Sequence, residues 1–253
     1  MNLKQLRTFW GLARTKLQRG DQSIESIEPW EKAQAYEWQH SVSFMQEDFF
    51  KGVFKEVMDF CDAKNSKELT SELFMKDFFN NESSRWLEFA DWIEGKVCLE
   101  LGPNVAGTLC TWWWSGKRIV IEPLIERIKD YQKDNFNHTI YTDDIVCHAL
   151  PAEVLIPDLV GAVDGVVVCR NCIDHSPEWI FILNNIATYT AHGAFLLFWS
   201  DLFHNERESG HYNLTRDVEG FKRLLSNLGF DFLHEFSYED RNTLNFGCLA
   251  RKR

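Results

Sequence analysis

An adjacent aspartate and histidine, Asp174 and His175, are the residues of this chain best suited to acid–base chemistry. A free histidine has a pKa of about 6.5, so its neutral ring can accept a proton from a hydroxyl nucleophile near neutral pH. Asp174 could orient that ring or contact a substrate itself. We therefore predict His175 and Asp174 as catalytic residues. The alternative is that His175 packs over a bound ligand as an aromatic lid and transfers no proton.

A second group of polar side chains lies between residues 201 and 214. The segment is long for a connection between a strand and a helix, so we expect Asp201, His204 and His211 to face the substrate. Asp201, Glu206 and Glu208 offer oxygen ligands, but their spacing is not diagnostic of a metal site. An exposed acidic loop is the alternative interpretation, and we predict no metal.

A glycine turn and a distant carboxylate point to a nucleoside. Gly102 allows a tight backbone turn and the close approach of a ligand. Glu122, twenty residues later, can accept hydrogen bonds from both hydroxyls of a ribose. The spacing of Gly102, Asn104 and Gly107 leaves a dinucleotide open. Glu100 argues against it, because this carboxylate would repel a pyrophosphate and favour a cation such as an amino group.

Alternating β-rich and helical segments must position these residues. The strand-like runs are residues 97–101, 118–121, 139–141, 163–168, 194–199, 230–236 and 243–250, and helical patterns lie at 124–134, 179–190 and 217–228. This order predicts an α/β fold with a Rossmann-like, seven-stranded, mostly parallel sheet. The last two runs are too close for a crossover helix, so they should form a C-terminal antiparallel hairpin. A further helix is predicted after the glycine turn, with Trp112, Trp113 and Trp114 on different faces.

Three segments divide the chain: a basic amphipathic segment at 1–20, a helical cap at 21–95 and the α/β domain at 96–253. The first holds five basic and no acidic residues. It could lie on an anionic membrane, act as a targeting presequence or form a plain surface helix. In the cap, the candidates to close over a ligand are Trp30, Tyr36, Trp38 and His40.

Composition narrows the class of partner. The 253 residues carry a formal charge of −11, which argues against a broad basic face for nucleic acid. The seven cysteines are scattered and odd in number, which is typical of a reducing compartment. Cys169 and Cys172 form a C-x-x-C motif without the second ligand pair that a zinc site needs.

The domain at 96–253 resembles a class I S-adenosylmethionine-dependent methyltransferase. The motifs that carry the resemblance are Glu100-x-Gly102-Pro103-x-x-x-Gly107, Ile121-Glu122-Pro123, the segment around Ala152-Glu153, and the run that ends in Asp174-His175. The resemblance implies S-adenosyl-L-methionine as cofactor, held by Glu100, Gly102, Pro103, Asn104, Glu122, Pro123, Ala152, Glu153, Cys169 and Arg170. Asn104 and Ala106 stand where the family usually has its second and third glycines.

These features predict an O-methyltransferase that acts on a small molecule or a glycan, with His175 as the base. The departures at Asn104 and Ala106 keep an alternative open, a catalytically inactive binding or regulatory subunit of the same fold. A dinucleotide oxidoreductase ranks third, because Glu100 and the terminal hairpin oppose it. We expect a cytoplasmic protein that does not bind nucleic acid. Contact with the inner face of a membrane would be confined to residues 1–20.

Overall fold

The computed structural model describes residues 27–47, 51, 77–79, 83–105, 107–204, 211–240 and 243–253. The basic segment at 1–20 lies outside the described residues, as do Ala106, Glu206 and Glu208. In the part of the chain that is described, no helix combines the length and the apolar character needed to cross a membrane.

Seven strands form a single sheet in the order β3-β2-β1-β4-β5-β7-β6. Their bounds are β1 Cys98–Leu101, β2 Arg118–Ile121, β3 Ile145–His148, β4 Val166–Arg170, β5 Phe195–His204, β6 Phe230–Asp240 and β7 Thr243–Lys252. Strands β1 to β5 pair in parallel, whereas β7 runs antiparallel to both β5 and β6. The predicted mostly parallel sheet with a C-terminal antiparallel hairpin is confirmed.

Helices cover both faces of the sheet. They are α1 Ile27–Gln46, α2 Ser83–Ile93, α3 Ile125–Phe136, α4 Trp179–Tyr189 and α5 Val218–Asn227. On one face Leu99 and Val167 pack with residues of α4 and α5, and on the other Val168 packs with α2. Val120 joins α3 and Met45 of α1 on that second face. Because the central strands are buried on both sides, their sequences read as continuous apolar runs.

The strand predicted at 139–141 is wrong, and the third strand lies at Ile145–His148 instead. The side chain of Gln132 explains the difference. Its Oε1 accepts hydrogen bonds from Thr139 Oγ1 at 2.9 Å and from the Ile140 N–H at 3.3 Å. The Tyr141 hydroxyl donates to the carbonyl of Asn104. The apolar run is therefore buried as a loop, and its polar groups bond to α3 and the glycine turn.

The helix predicted after the glycine turn is also wrong, because only a 3-10 turn at Thr108–Thr111 separates β1 from β2 among the described residues. Glu100 accepts the N–H groups of Thr108 and Leu109, at 2.9 and 2.8 Å. The buried Arg118 guanidinium donates to the carbonyls of Leu109 and Cys110, each at 3.2 Å. Side chains thus satisfy the groups that a continuing helix would have used.

The three tryptophans follow this turn and join the cap to the sheet. Trp112 is fully buried, with its ring 5.5 Å from that of Trp86 in α2. Trp114 stacks on Trp112 at 6.1 Å, and the Arg118 guanidinium lies 4.4 Å from the Trp113 ring. Core packing, rather than a platform for an aromatic substrate, accounts for their position.

Replacing Gly102 by alanine is expected to destabilise the fold more than the same change at Gly161. Both glycines have positive φ, +61° and +65°, which costs alanine about 1–2 kcal/mol. A Cβ at Gly102 would lie 2.5 Å from Cys172 Sγ, whereas nothing lies within 4 Å at Gly161. Overpacking therefore adds roughly 1–3 kcal/mol at Gly102 alone. Urea unfolding measures both losses, and equal losses would show that the turn has room for a side chain.

Candidate functional site

A cavity of about 110 Å³ lies beyond the carboxyl ends of β1, β2 and β4. The strand order reverses between β1 and β4, and ligands of open α/β sheets bind at such a switch point. The cavity brings together seven of the residues predicted from the sequence, which are Gly102, Asn104, Glu122, Pro123, Ala152, Glu153 and His175. It does not include the other eight, which are Glu100, Pro103, Cys169, Arg170, Asp174, Asp201, His204 and His211.

Two left-handed residues shape the turn after β1. Gly102 has φ +61°, and Asn104 has φ 50°, a conformation that asparagine tolerates better than most residues. The Asn104 side chain accepts a hydrogen bond from Ser41 Oγ of α1 at 2.8 Å. Asn104 thus keeps the turn where the family has glycine and ties it to the cap.

Glu122 at the end of β2 is 6% exposed and faces the cavity. Its Oε2 accepts the Asn104 N–H at 3.2 Å, and its Oε1 accepts the Leu124 N–H at 2.9 Å. Burial raises the pKa of Glu122, and these two hydrogen bonds offset part of that rise. Each carboxylate oxygen has two lone pairs, so both can still accept a hydroxyl from the cavity side.

The carboxylate of Glu100 does not line the cavity, contrary to the expectation that it would contact an amino group of a ligand. The side chain is 2% exposed, and both of its oxygens accept N–H groups of the 3-10 turn. Burial raises its pKa, partly offset by those hydrogen bonds and by the charge of Arg170. Arg170 in turn donates to Thr108 Oγ1 at 3.0 Å, and Cys169 is fully buried. Asn171 and Cys172 line the cavity, whereas Cys169 and Arg170 do not.

The loop after β3 forms the far wall of the cavity. Asn185 of α4 donates to the carbonyl of Ala152 at 2.9 Å, which fixes the loop against the helix. The Ser176 hydroxyl bonds to the carboxylate of Glu153 and accepts the Glu178 N–H at 3.0 Å. The wall is therefore held in place by the segment that also carries His175.

His175 meets a residue of the cap that sequence reasoning missed. Its Nδ1 lies 3.0 Å from Oε1 of Glu37 in α1, and the two side chains are 23% and 15% exposed. Burial would lower the pKa of His175, but the close contact with Glu37 and the charges of Asp174 and Glu37 outweigh it and raise the pKa. Burial would raise the pKa of Glu37, and the contact with His175 reverses this effect. The pair is an ion pair that holds α1 over the cavity.

Asp174 does not line the cavity, and it makes no close contact with the ring of His175. It is fully buried, and its nearest approach to the His175 ring is 4.0 Å, from Oδ2 to Nε2. Its Oδ2 lies 2.9 Å from His211 Nδ1, and its Oδ1 accepts the Ser200 hydroxyl at 3.1 Å. Burial would raise the pKa of Asp174, but its contacts with His204 and His211 and the charge of His175 lower it far below its ordinary value. The predicted orienting role for His175 belongs by geometry to Glu37.

The three residues predicted to face the substrate surround Asp174 instead. His204 Nε2 lies 3.9 Å from Asp174 Oδ2 and 3.6 Å from Asp201 Oδ2. The ring of His211 is 4.3 Å from that of His175 and 4.9 Å from that of His204. Burial and the nearby Asp174 raise the pKa of Asp201. These side chains form a compact polar cluster behind His175.

The cap residues at the cavity follow a pattern that the sequence contains. Gln34, Glu37 and Ser41 are spaced at three and four, so they share one face of α1. The buried Met45 lies one turn further along the same face. Polar residues on a face that also carries a buried residue are typical of a helix that packs on polar groups. The aromatic candidates of the cap lie elsewhere: Tyr36 and His40 are exposed, and the Trp38 ring packs 6.1 Å from Tyr131. The side chain of Trp30 lies outside the described residues.

The Glu37–His175 pair is expected to contribute to stability through mutual coupling. Removing either partner leaves the other largely buried and without its contact, whereas removing both leaves neither. A cycle of Glu37→Gln, His175→Asn and the double variant should therefore show about 1 kcal/mol or more of coupling. Urea unfolding of the four proteins gives the value. Additivity within about 0.3 kcal/mol would contradict the ion pair.

Solved structures similar to this one share a single type of fold. A proposed S-adenosylmethionine-dependent methyltransferase from Listeria monocytogenes aligns with a TM-score of 0.50 at 14% identity, over 68% of this chain and 99% of its own. A proposed methyltransferase from Bacillus halodurans aligns with a TM-score of 0.51 at 11% identity, over 66% and 97%. The trans-methyltransferase CalH, in complex with SAH, aligns with a TM-score of 0.51 at 17% identity, over 84% of this chain and 62% of its own.

No protein-family model matches the sequence, and a search of the curated proteins finds no match. The structural similarities agree with the strand order, the parallel pairing and the terminal hairpin described above. The chain therefore has the class I S-adenosylmethionine-dependent methyltransferase fold.

Proposed function

We propose that the protein is an S-adenosyl-L-methionine-dependent methyltransferase that methylates a hydroxyl group of a small molecule or a glycan. The observation that carries the proposal is Glu122, a buried carboxylate that faces the cavity at the switch point and is held beside the Gly102 turn. A carboxylate in this position suits the two hydroxyls of a ribose.

The polar groups of the cavity suit the rest of the cofactor. Among the described residues, Gln34 Oε1 and Asn171 Oδ1 are buried without a hydrogen-bond partner, and both residues line the cavity. Such amide groups could bond to the ammonium group or the adenine of S-adenosylmethionine. Asn171 in particular offers an acceptor for the ammonium group, which is the contact that was expected of Glu100. Ala152 and Glu153 would lie beside the adenine, as the family resemblance implies.

The cap would have to move for a ligand of this size to bind. A volume of about 110 Å³ is below the several hundred Å³ typical of ligand clefts. The α1 side of the cavity is formed by Gln34 and Glu37, and Glu37 is held by His175. Outward movement of α1 would break this ion pair and release the ring of His175 into the cavity.

The released His175 has the chemistry of a general base. The bound cofactor would supply an electrophilic methyl group on a sulfonium, whose C–S bond breaks with both electrons retained by sulfur. The protein aligns the acceptor oxygen with that bond. As the oxygen forms its new bond to carbon, His175 takes the hydroxyl proton. Asp174, whose Oδ2 lies 4.0 Å from Nε2 of the ring, can stabilise the resulting imidazolium.

Charge supports a small acceptor over a nucleic acid. The net charge of −11 over the whole chain disfavours binding of a polyphosphate chain. We propose a cytoplasmic protein, with residues 1–20 as the segment that would meet a membrane.

The contact between Glu37 of the cap and His175 also favours a second candidate, a binding or regulatory subunit of methyltransferase fold without turnover. In that case the Glu37–His175 pair would be the resting end state, and His175 would never reach a substrate. Release of S-adenosylhomocysteine from S-adenosylmethionine in the presence of hydroxyl acceptors would exclude this candidate.

Isothermal titration with S-adenosylhomocysteine tests the cofactor site. We expect one binding site in the wild-type protein and about 10- to 100-fold weaker binding in Glu122→Gln, because a charged acceptor for two hydroxyls is lost. Glu126→Gln is the matched control, since Glu126 in α3 is exposed and pairs only with Lys129 in the next turn. Urea unfolding verifies that both variants fold.

Absence of wild-type binding at millimolar ligand would refute the proposed function. Equal affinities of the wild-type protein and Glu122→Gln would place the ligand elsewhere.

A further inference from the structure

The cluster behind His175 contains the donor set of a transition-metal site. Asp174, His204 and His211 each offer one ligand atom, and these atoms all lie within 4.8 Å of one another. We propose that these three residues bind a divalent transition-metal ion of the zinc type. Binding of this ion does not depend on the proposed methyl transfer.

The distances are close to those of a coordination shell. Zinc bonds of about 2.1 Å in tetrahedral geometry place ligand atoms roughly 3.4 Å apart. The Asp174 Oδ2 atom lies 2.9 Å from His211 Nδ1 and 3.9 Å from His204 Nε2. Shifts of well under 1 Å would bring these two pairs to the required separation, and the ligand atoms of His204 and His211 lie within 4.8 Å of each other.

Neighbouring side chains orient the ligands as in known metal sites. Ser200 Oγ donates to Oδ1 of Asp174 at 3.1 Å, which leaves Oδ2 toward the histidines. Thr243 Oγ1 lies 3.4 Å from Nδ1 of His204, on the opposite side of the ring from the Nε2 that faces Asp174. Such outer contacts select the tautomer and the direction of metal-bound histidines. The Tyr212 N–H donates to the Asp174 carbonyl at 2.6 Å and so fixes the backbone beside His211.

Burial and ligand type favour zinc over magnesium. Asp174 is fully buried, and the side chains of His204 and His211 are 7% and 17% exposed. Two imidazoles with one carboxylate suit zinc, whereas magnesium prefers oxygen ligands and retained water. Asp201 Oδ2 lies 3.6 Å from His204 Nε2, at the edge of this group of ligands. No metal was predicted from the sequence, because the residues considered were Asp201, Glu206 and Glu208, whose spacing is not diagnostic, and Asp174 was not brought together with the two histidines.

The site lies next to the cavity but does not share its lining. The ring of His175 stands between them, since it lines the cavity and lies 4.3 Å from the ring of His211. Metal affinity can therefore be measured separately from the affinity for S-adenosylhomocysteine.

Titration of chelator-treated, full-length protein with Zn²⁺ and, in parallel, with Mg²⁺ tests the site. We expect one Zn²⁺ per chain at micromolar affinity or tighter, and no saturable Mg²⁺ binding. Loss of an outer contact typically weakens a metal site by about 10- to 100-fold, so His211→Ala should weaken Zn²⁺ binding by more than roughly 100-fold and Ser200→Ala by about 10-fold. His138→Ala is the control, because His138 is an exposed histidine far along the chain from the cluster.

Co²⁺ substitution adds a signal that a loss of folding does not imitate. Visible absorption of the bound Co²⁺ is expected in the wild-type protein and in His138→Ala, and not in His211→Ala, while urea unfolding shows that all three are folded. The proposal is overturned if the wild-type protein takes up no stoichiometric Zn²⁺. It is equally overturned if His211→Ala binds Zn²⁺ like the wild type, or if Mg²⁺ binds in preference. In the first two cases the cluster is a hydrogen-bond network, and in the third it is not a site of the zinc type.

Discussion

The carboxylate of Glu122 is the contact on which the geometry of the cavity depends. It accepts one N–H from the glycine turn and one from the start of α3, so it fixes the ends of β1 and β2 relative to each other. A carboxylate that is only 6% exposed would be costly without these donors. The same carboxylate faces the cavity, so a single side chain both stabilises the turn and presents charge to a ligand.

The strand-end positions could be predicted from the sequence because topology determines them. Parallel strands that order as β3-β2-β1-β4 bring their carboxyl ends to one edge, which places Gly102 and Glu122 at the same cavity and brings the turn after β4, with His175, to the same edge. Topology does not determine the direction in which a side chain at a strand end points. Glu100 was expected to face a ligand, yet it turns to Thr108 and Leu109, since the residues after the glycine turn form a 3-10 turn and not a helix.

Contacts over long sequence separations could not be predicted in this way. Glu37 and His175 are 138 positions apart, and nothing local to either residue indicates the other. The spacing of Gln34, Glu37 and Ser41 places them on one face of a helix, but it does not indicate the surface that this face covers. Likewise the side chain of Gln132 accepts hydrogen bonds from residues 139 and 140, so the segment predicted as a strand forms a buried loop. In both cases tertiary hydrogen bonds override local propensity.

The central claim is that the cavity beside α1 is the binding site for S-adenosylmethionine. A crystal structure of the protein with S-adenosylhomocysteine tests it most directly. We predict ribose hydroxyls within hydrogen-bond distance of Glu122 and a Glu37 carboxylate withdrawn from His175. A ligand bound away from Glu122 would contradict the claim. So would an intact Glu37–His175 contact over an empty cavity at saturating ligand.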